Sequence, residues 1–588
     1  MPRSRIEWPL LPLFAIHTIL LAYSSYTHTP TLNELAHLSA GLIHLKVQRF
    51  DVYAVNPPLV RMIASIPVAL VGHESDWGSF GNSPGERPEM QLGSDFARAN
   101  GPRTLFLITI ARLACIPFSL IGAYCCWRWS RDLFGRWGGY LSVILWCLCP
   151  NVIGHGSLIT ADIPAAALGI AACYSFWQWL RRPSWFYALV SGAILGVAEL
   201  VKTTLIVFYP IWPILWAFYR IVNRELTREK AIREFTMLFA RTLMALYVVN
   251  AGYVFEDTFR PLGEFRFVSK ALSDPASNQI GSSRFRGSWV GKIPVPLPAN
   301  YLVGIDLQRR DFESYPYRAY LGGEFSKQGW WYYYLYGLGV KLPTGTLILI
   351  ACSLVVAACQ SRRRSALALN TVLLAPAVVI LVLVSSQTGM NEHVRYVFPV
   401  LPYLYVCSGN LVGFVAKNRW LAKCLILTVA WIVTSSLCIY PHSLSFFNEI
   451  AGGPASGHRH LIHSNLDWGQ DLGFLASKIR AHDSTPVHVA YFGGFAPSDV
   501  GFDFRSPPTS HHGEDVSFPP GYYAVSVQIL KDPRPFRIGA RSRATIPPNL
   551  LEELLRHEPE MRAGYSIPIF RIGAPIPAAA RRREMLTD

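Results

Sequence analysis

The sequence predicts an all-α polytopic membrane domain of about eleven spans, followed by a small extracytoplasmic α/β domain. Three observations predict it. Of 588 residues, 51% are hydrophobic and only 16% charged, against about 25% charged in soluble domains. The apolar residues gather into runs near the roughly 20 that cross a hydrocarbon core, where each backbone polar group must be paired internally, so the runs are helices. The net charge of +16 sits largely in clusters between those runs: Arg128, Arg131 and Arg136; Arg181 and Arg182; Arg220, Arg224, Arg228, Lys230 and Arg233; Arg362, Arg363 and Arg364; Lys417, Arg419 and Lys423. Such clusters mark cytoplasmic loops. No basic face or recognition motif accompanies them, so nucleic acid is not an expected partner.

The spans fall at roughly 9–27, 104–127, 138–154, 160–180, 185–201, 203–221, 236–253, 336–359, 366–386, 394–415 and 418–440. With the N-terminus cytoplasmic, every basic cluster lies inside, while segments 28–103, 254–335 and 441–588 lie outside. Met1 to Arg5 and the apolar run after it read as a retained first helix, because no small-residue cleavage site follows. All eleven cysteines lie in predicted spans, so neither structural disulfides nor a cysteine zinc site is expected.

In the first external segment, 31–49 reads as an amphipathic helix. The stretch opened by Pro57-Pro58 and running to Val71 reads as a helix at the membrane surface, in contact with lipid. Residues 73–103, rich in Gly, Ser and Pro, read as loop. The aromatic run Trp330-Trp331-Tyr332-Tyr333-Tyr334 suits an interfacial belt better than a sugar platform. In the tail, 470–481 reads as a helix and 487–492 and 522–530 as strands, while the 578–583 end reads as frayed.

Ionisable residues near the ends of the runs are the candidates for chemistry. Glu34 and His37 share a helix face in Asn33-Glu34-Leu35-Ala36-His37, where a carboxylate is able to deprotonate an acceptor hydroxyl or bind a metal. The alternative there is capping by Asn33 with a solvated Glu34. Asn56-Pro57-Pro58 starts a helix that carries Arg61 one turn in, suited to a phosphate or to lipid headgroups. Asp162, in Thr160-Ala161-Asp162-Ile163-Pro164, stands at the external mouth of an apolar helix, where an ionisable residue is costly and reads as functional. Its alternative is a first-turn anion favoured by the helix dipole, with Thr160 as cap. Lys202 and Arg395 fall on the same side. Together these charges suit a substrate whose phosphate lies at headgroup level while its chain stays in lipid. Each cation alone suits a headgroup anchor.

At these residues the chain resembles the GT-C glycosyltransferases, specifically the relatives of protein O-mannosyltransferases and bacterial aminoarabinose transferases. The features that carry the resemblance are Asn33-Glu34 with His37, Asn56-Pro57-Pro58, the segment 158–164, Lys202-Thr203, and Arg395-Tyr396 within 393–399. It covers residues 1 to about 440; 441–588 is read as a separate domain and resembles an extension of bacterial members. That tail carries Ser464-Asn465-Leu466-Asp467-Trp468-Gly469-Gln470-Asp471, whose Asp467 and Asp471 share a helical spacing and offer contacts to an acceptor. Asp467 equally suits a helix cap.

The resemblance implies an inverting transferase in a bacterial inner membrane. Its donor is a polyprenyl-phosphate sugar and its acceptor an extracytoplasmic protein, lipid or glycan. An acidic residue serves as base, and basic residues or a divalent metal ion stabilise the leaving phosphate. Asn33, His37, Asn56, Arg61, Lys202, Arg395 and Asp467 become the expected substrate contacts, and Glu34 with Asp162 the expected metal ligands. The sequence departs from the family at one place: the usual Asp-Glu pair is Asn33-Glu34, and an amide is no base. Either Glu34 or Asp162 takes that role, or the activity is lost or altered. A transporter or flippase of lipid-linked sugar and an inactive scaffold are the competing classes. The gathering of charges at one face rather than at the midplane favours surface chemistry over transport.

Overall fold

A computed structural model of the protein describes residues 8–78, 81, 83–482, 486–509, 516–537 and 543–575. The expectations for Met1 to Arg5 and for the 578–583 end lie outside them. Among the described residues seven helices are long and apolar enough to cross a membrane: Leu10–Thr27, Arg103–Cys147, Thr203–Val222, Arg228–Gly252, Arg364–Ser385, Val394–Val415 and Arg419–Ile439. An eighth is added if Tyr333–Lys341 and Thr344–Gln360, bent by 120° at the Leu342-Pro343 break, count as one span. The chain is an integral membrane protein.

The difference from eleven has local causes. The expected span at 138–154 is mostly the far limb of Arg103–Cys147, beyond a break at Gly135, whose φ of 82° suits a residue without a Cβ. Trp185–Glu199 has 15 residues, about 22 Å of helix against a core of about 30 Å. Asp162–Arg181 is long enough at 20 residues, but its alanines and polar residues dilute its hydropathy. Protein rather than lipid buries nearly all of it.

Three short helices build the layer that shapes the site. Glu34–Val47 is buried on every side over its first three turns rather than amphipathic. Leu59–Val71 buries Val60, Arg61, Ala64, Ser65 and Val68 on one face and leaves Leu70 exposed, as a surface-lying helix does. Glu89–Asn100 forms where the composition predicted loop. Pro88 precedes it, and Leu92, Phe96 and Ala97 give it a buried face. Gly41 and Gly93 let these helices touch backbone to backbone: a Cβ at Gly41 would lie 2.2 Å from the Arg61 carbonyl, and one at Gly93 2.6 Å from the Ala36 nitrogen.

The tail begins as a strap. Between 441 and 471 it runs over one end of the helix bundle, with backbone bonds from Thr29 N to Gln470 O (3.1 Å) and from Leu32 N to Trp468 O (2.9 Å). Asn465 Oδ1 accepts from Val394 N at 2.9 Å. An α/β unit follows. Helix Leu472–His482 leads to a four-stranded sheet in the order Val487–Ala490, Gly521–Val525, Ile567–Ile572, Met561–Ala563. The first pair is parallel (Val487 opposite Tyr522) and the other two antiparallel (Tyr523 opposite Phe570, Ala563 opposite Ile567). The strand expected at 522–530 ends at Val525, and Val527–Lys531 turns into a short helix.

Candidate active site

Three helix starts converge on one cavity. Asp162 is the first residue of Asp162–Arg181, Lys202 immediately precedes Thr203–Val222, and Arg395 opens Val394–Val415. The exposed N–H groups and dipoles of such starts add positive potential at one membrane face. Asp162 Oδ1 accepts from Lys202 Nζ at 2.8 Å, and Asp162 Oδ2 lies 3.1 Å from Arg395 Nε. Arg395 also donates to Ser464 Oγ, and its guanidinium lies 4.0 Å from the Trp468 ring centre. The cavity holds about 740 Å³, part of it open to solvent, and Asn33, His37, Tyr53, Asn56, Arg87, Thr160, Asp162, Lys202, Asp311, Arg395 and Trp468 are among its walls.

Six of the nine residues singled out in the sequence line this cavity: Asn33, His37, Asn56, Asp162, Lys202 and Arg395. Asn33 makes no capping bond; its Oδ1 accepts from Trp468 Nε1 at 3.3 Å. His37 stacks on Tyr53, with Nε2 3.1 Å from the phenol oxygen. Burial and then the charges of Arg61 and Arg395 push His37 well below the usual imidazole range, so it is neutral. Thr160 does not cap the helix either: its buried hydroxyl has no hydrogen-bond partner among the described residues.

The other three lie elsewhere. Arg61 is buried beneath the Tyr53 ring at 4.4 Å and donates to the carbonyls of Tyr53, Asn56 and Pro57. It holds the Pro57-Pro58 turn in place rather than facing the cavity. Glu34 is fully buried behind Asn33. Arg112 donates to its two oxygens at 2.9 and 2.5 Å, Thr31 N and Thr31 Oγ1 at 2.9 and 3.0 Å, and Ile159 N at 3.1 Å. Burial alone would lift its carboxyl, but Arg112 and these hydrogen bonds hold it below the usual range. Asp467 accepts from Gly469 N at 3.2 Å and Gln528 N at 3.3 Å, inside the tail.

The expected metal pair therefore does not form. Both Glu34 oxygens are saturated with donors, and Asp162 faces two cations, so this donor set does not fit a divalent ion.

Sequence reasoning passed over Arg87, Asp311, Ser464 and Trp468. Arg87 pairs with Asp311 at 2.6 Å and with Glu89, joining segments more than 200 residues apart, which no local pattern reveals. Trp468 lies within the tail segment 464–471, whose helical spacing points instead to its neighbour Asp467. A second, more open space of about 1070 Å³ shares Asn33, Met390, His393 and Trp468 with the first. Beyond them it is lined by Tyr315, Glu392, His463 and Arg534. Glu392 accepts from Arg534 at 2.7 Å and from Tyr315, and lies 3.3 Å from His463 Nε2.

Burial pushes Asp467 up to about 7. A carboxyl raised in the folded state stabilises the fold below its unfolded value near 4, and this contribution is lost as pH rises to about 7. The full loss is roughly 4 kcal/mol. In hydrogen exchange of the tail, protection in the wild type relative to Asp467→Asn should fall between pH 5 and pH 8. Equal pH profiles for the two proteins would contradict this.

Residues 106–251 match the model of the dolichyl-phosphate-mannose-protein mannosyltransferase family, which bears out the resemblance to GT-C glycosyltransferases. The match covers about a quarter of the chain, within its membrane helices. Among solved structures the chain is similar to ArnT from Cupriavidus metallidurans bound to undecaprenyl phosphate, at 12% identity and TM-score 0.44, covering 96% of this chain and 97% of that one. It is also similar to the Archaeoglobus fulgidus oligosaccharyltransferase tethered with an acceptor peptide, at 11% identity and TM-score 0.42, covering 89% and 70%. No curated protein matches the sequence.

Proposed function

We propose that the protein transfers a sugar, with inversion, from a polyprenyl-phosphate donor to an extracytoplasmic acceptor. One observation carries the proposal: Asp162 sits between Lys202 and Arg395 in a cavity at three helix starts. The donor phosphate draws the two cations from Asp162, exchanging one anion for another without leaving either cation unpaired in a desolvated site. Helix starts reinforce its binding. Asp162 is then left with free lone pairs. The acceptor hydroxyl oxygen attacks C1 of the sugar, the C1–O bond to phosphate breaks, and polyprenyl phosphate departs, held by Lys202 and Arg395. The hydroxyl proton passes to Asp162. Thr160 and Asn33 supply polar contacts for the sugar, and the adjoining space beneath the tail admits the acceptor.

In this reading the N-terminus is cytoplasmic, the tail is extracytoplasmic and the membrane is a bacterial inner membrane. The five basic clusters favour that orientation. The 1–440 and 441–588 segments remain distinct in it: the first carries the chemistry, and the second closes over it.

Binding of a labelled polyprenyl phosphate to the purified protein tests the phosphate contacts. Lys202→Ala and Arg395→Ala each remove a charge-assisted bond worth about 1.5–3 kcal/mol, so Kd should rise roughly ten- to hundredfold. Unchanged affinity in both variants would remove the phosphate from this cavity.

A further inference from the structure

Outside the cavity, three side chains from distant parts of the chain meet at the external ends of the first and last spans. His28 caps Leu10–Thr27, His442 follows Arg419–Ile439, and Asp471 directly precedes Leu472–His482. One nitrogen of each histidine and one Asp471 oxygen all lie within 4.8 Å of one another. Asp471 Oδ1 is 3.3 Å from His442 Nδ1 and 3.9 Å from His28 Nε2. None of the three lines either space described above.

The protonation pattern is what makes the cluster informative. His28 Nδ1 lies 3.0 Å from the Ser24 carbonyl, which only accepts and so calls for a proton on Nδ1, with the Thr27 and Ser24 hydroxyls farther off at 3.3 and 3.5 Å. Nε2 then presents a lone pair. It is buried, has no hydrogen-bond partner among the described residues, and faces a carboxylate oxygen. A lone pair opposed to an anion calls for a cation between them.

The surroundings are those of a prepared ligand set. Asp471 Oδ2 accepts from Ser566 Oγ at 2.8 Å, which turns Oδ1 toward the histidines. The Ser24 carbonyl fixes the His28 ring in the same way. Such outer partners orient metal ligands.

We propose that His28, His442 and Asp471 bind one divalent transition-metal ion of the zinc type, which clasps the first span, the last span and the tail together. Two imidazoles and a carboxylate are a common zinc set. Ligands about 2.1 Å from a tetrahedral ion lie about 3.4 Å apart. The His442–Asp471 pair already matches that spacing, and His28 needs to close by less than about 1.5 Å.

The test uses the full chain in detergent, without a polyhistidine tag, titrated with Co²⁺ and followed by its visible absorption and by metal analysis after dialysis. One equivalent should bind, zinc should displace it, and His28→Ala and His442→Gln should each weaken binding at least about tenfold. Failure of the wild type to bind Co²⁺, or equal binding in the variants, would overturn the proposal. Should the variants not fold, the wild type decides alone. Its melting temperature should rise by several degrees on adding Zn²⁺ to chelator-treated protein, and an unchanged melting temperature would overturn the clasp.

Discussion

Asp162→Asn should lower sugar transfer by about 10²–10⁴-fold, the usual contribution of a positioned base, while donor binding stays as tight or becomes tighter. The two effects separate because of the geometry. Asp162 occupies Lys202 and Arg395 when the donor is absent. Its neutral amide no longer competes with the phosphate for them, yet it cannot take the acceptor proton. The measurement is single-turnover transfer at saturating donor, beside a binding isotherm on the same preparation. Loss of donor binding with transfer intact per bound donor would give Asp162 a purely structural part.

Glu34→Gln should act on the fold rather than on the chemical step. Arg112 crosses the interior fully buried, and Glu34 is its only carboxylate partner among the described residues. Removing that charge leaves a guanidinium in a desolvated site, at a cost of about 3–5 kcal/mol. A lower melting temperature and reduced yield of dispersed protein are expected. Glu34→Gln combined with Arg112→Met should recover part of the loss, because no unpaired charge remains. A Glu34→Gln protein as stable as wild type but unable to turn over would return the base to Glu34.

These two carboxylates also show what the sequence made legible. Asp162, Lys202 and Arg395 were readable because each is an ionisable residue at the end of an apolar run, where its cost marks it. Glu34, in the Asn33 to His37 motif, carries the same mark, but its partner Arg112 sits inside the predicted span 104–127, 78 positions away. That pairing is a property of packing, not of spacing.

The tail shows the opposite error. Asp467 and Asp471 were placed on one helix face, but Gly469 adopts a φ of 89° and Leu472–His482 begins only after it. The break sends Asp467 toward Gln528 and Asp471 toward His442, and it turns Trp468 to Arg395. The expected eleven spans exceed the seven or eight long apolar helices for a third reason. A helix enclosed by protein, such as Asp162–Arg181, has no need to be as apolar as one facing lipid.

The most direct test of the central claim is the fate of a polyprenyl-phosphate sugar labelled in the sugar. The purified protein is reconstituted in vesicles with an extract of extracytoplasmic acceptors. The cavity of Asp162, Lys202 and Arg395 predicts that label moves to an acceptor as polyprenyl phosphate is released in equal amount, and that both stop in Asp162→Asn. Movement of intact donor across the bilayer, with no release of polyprenyl phosphate from any donor offered, would contradict the account and make the protein a transporter.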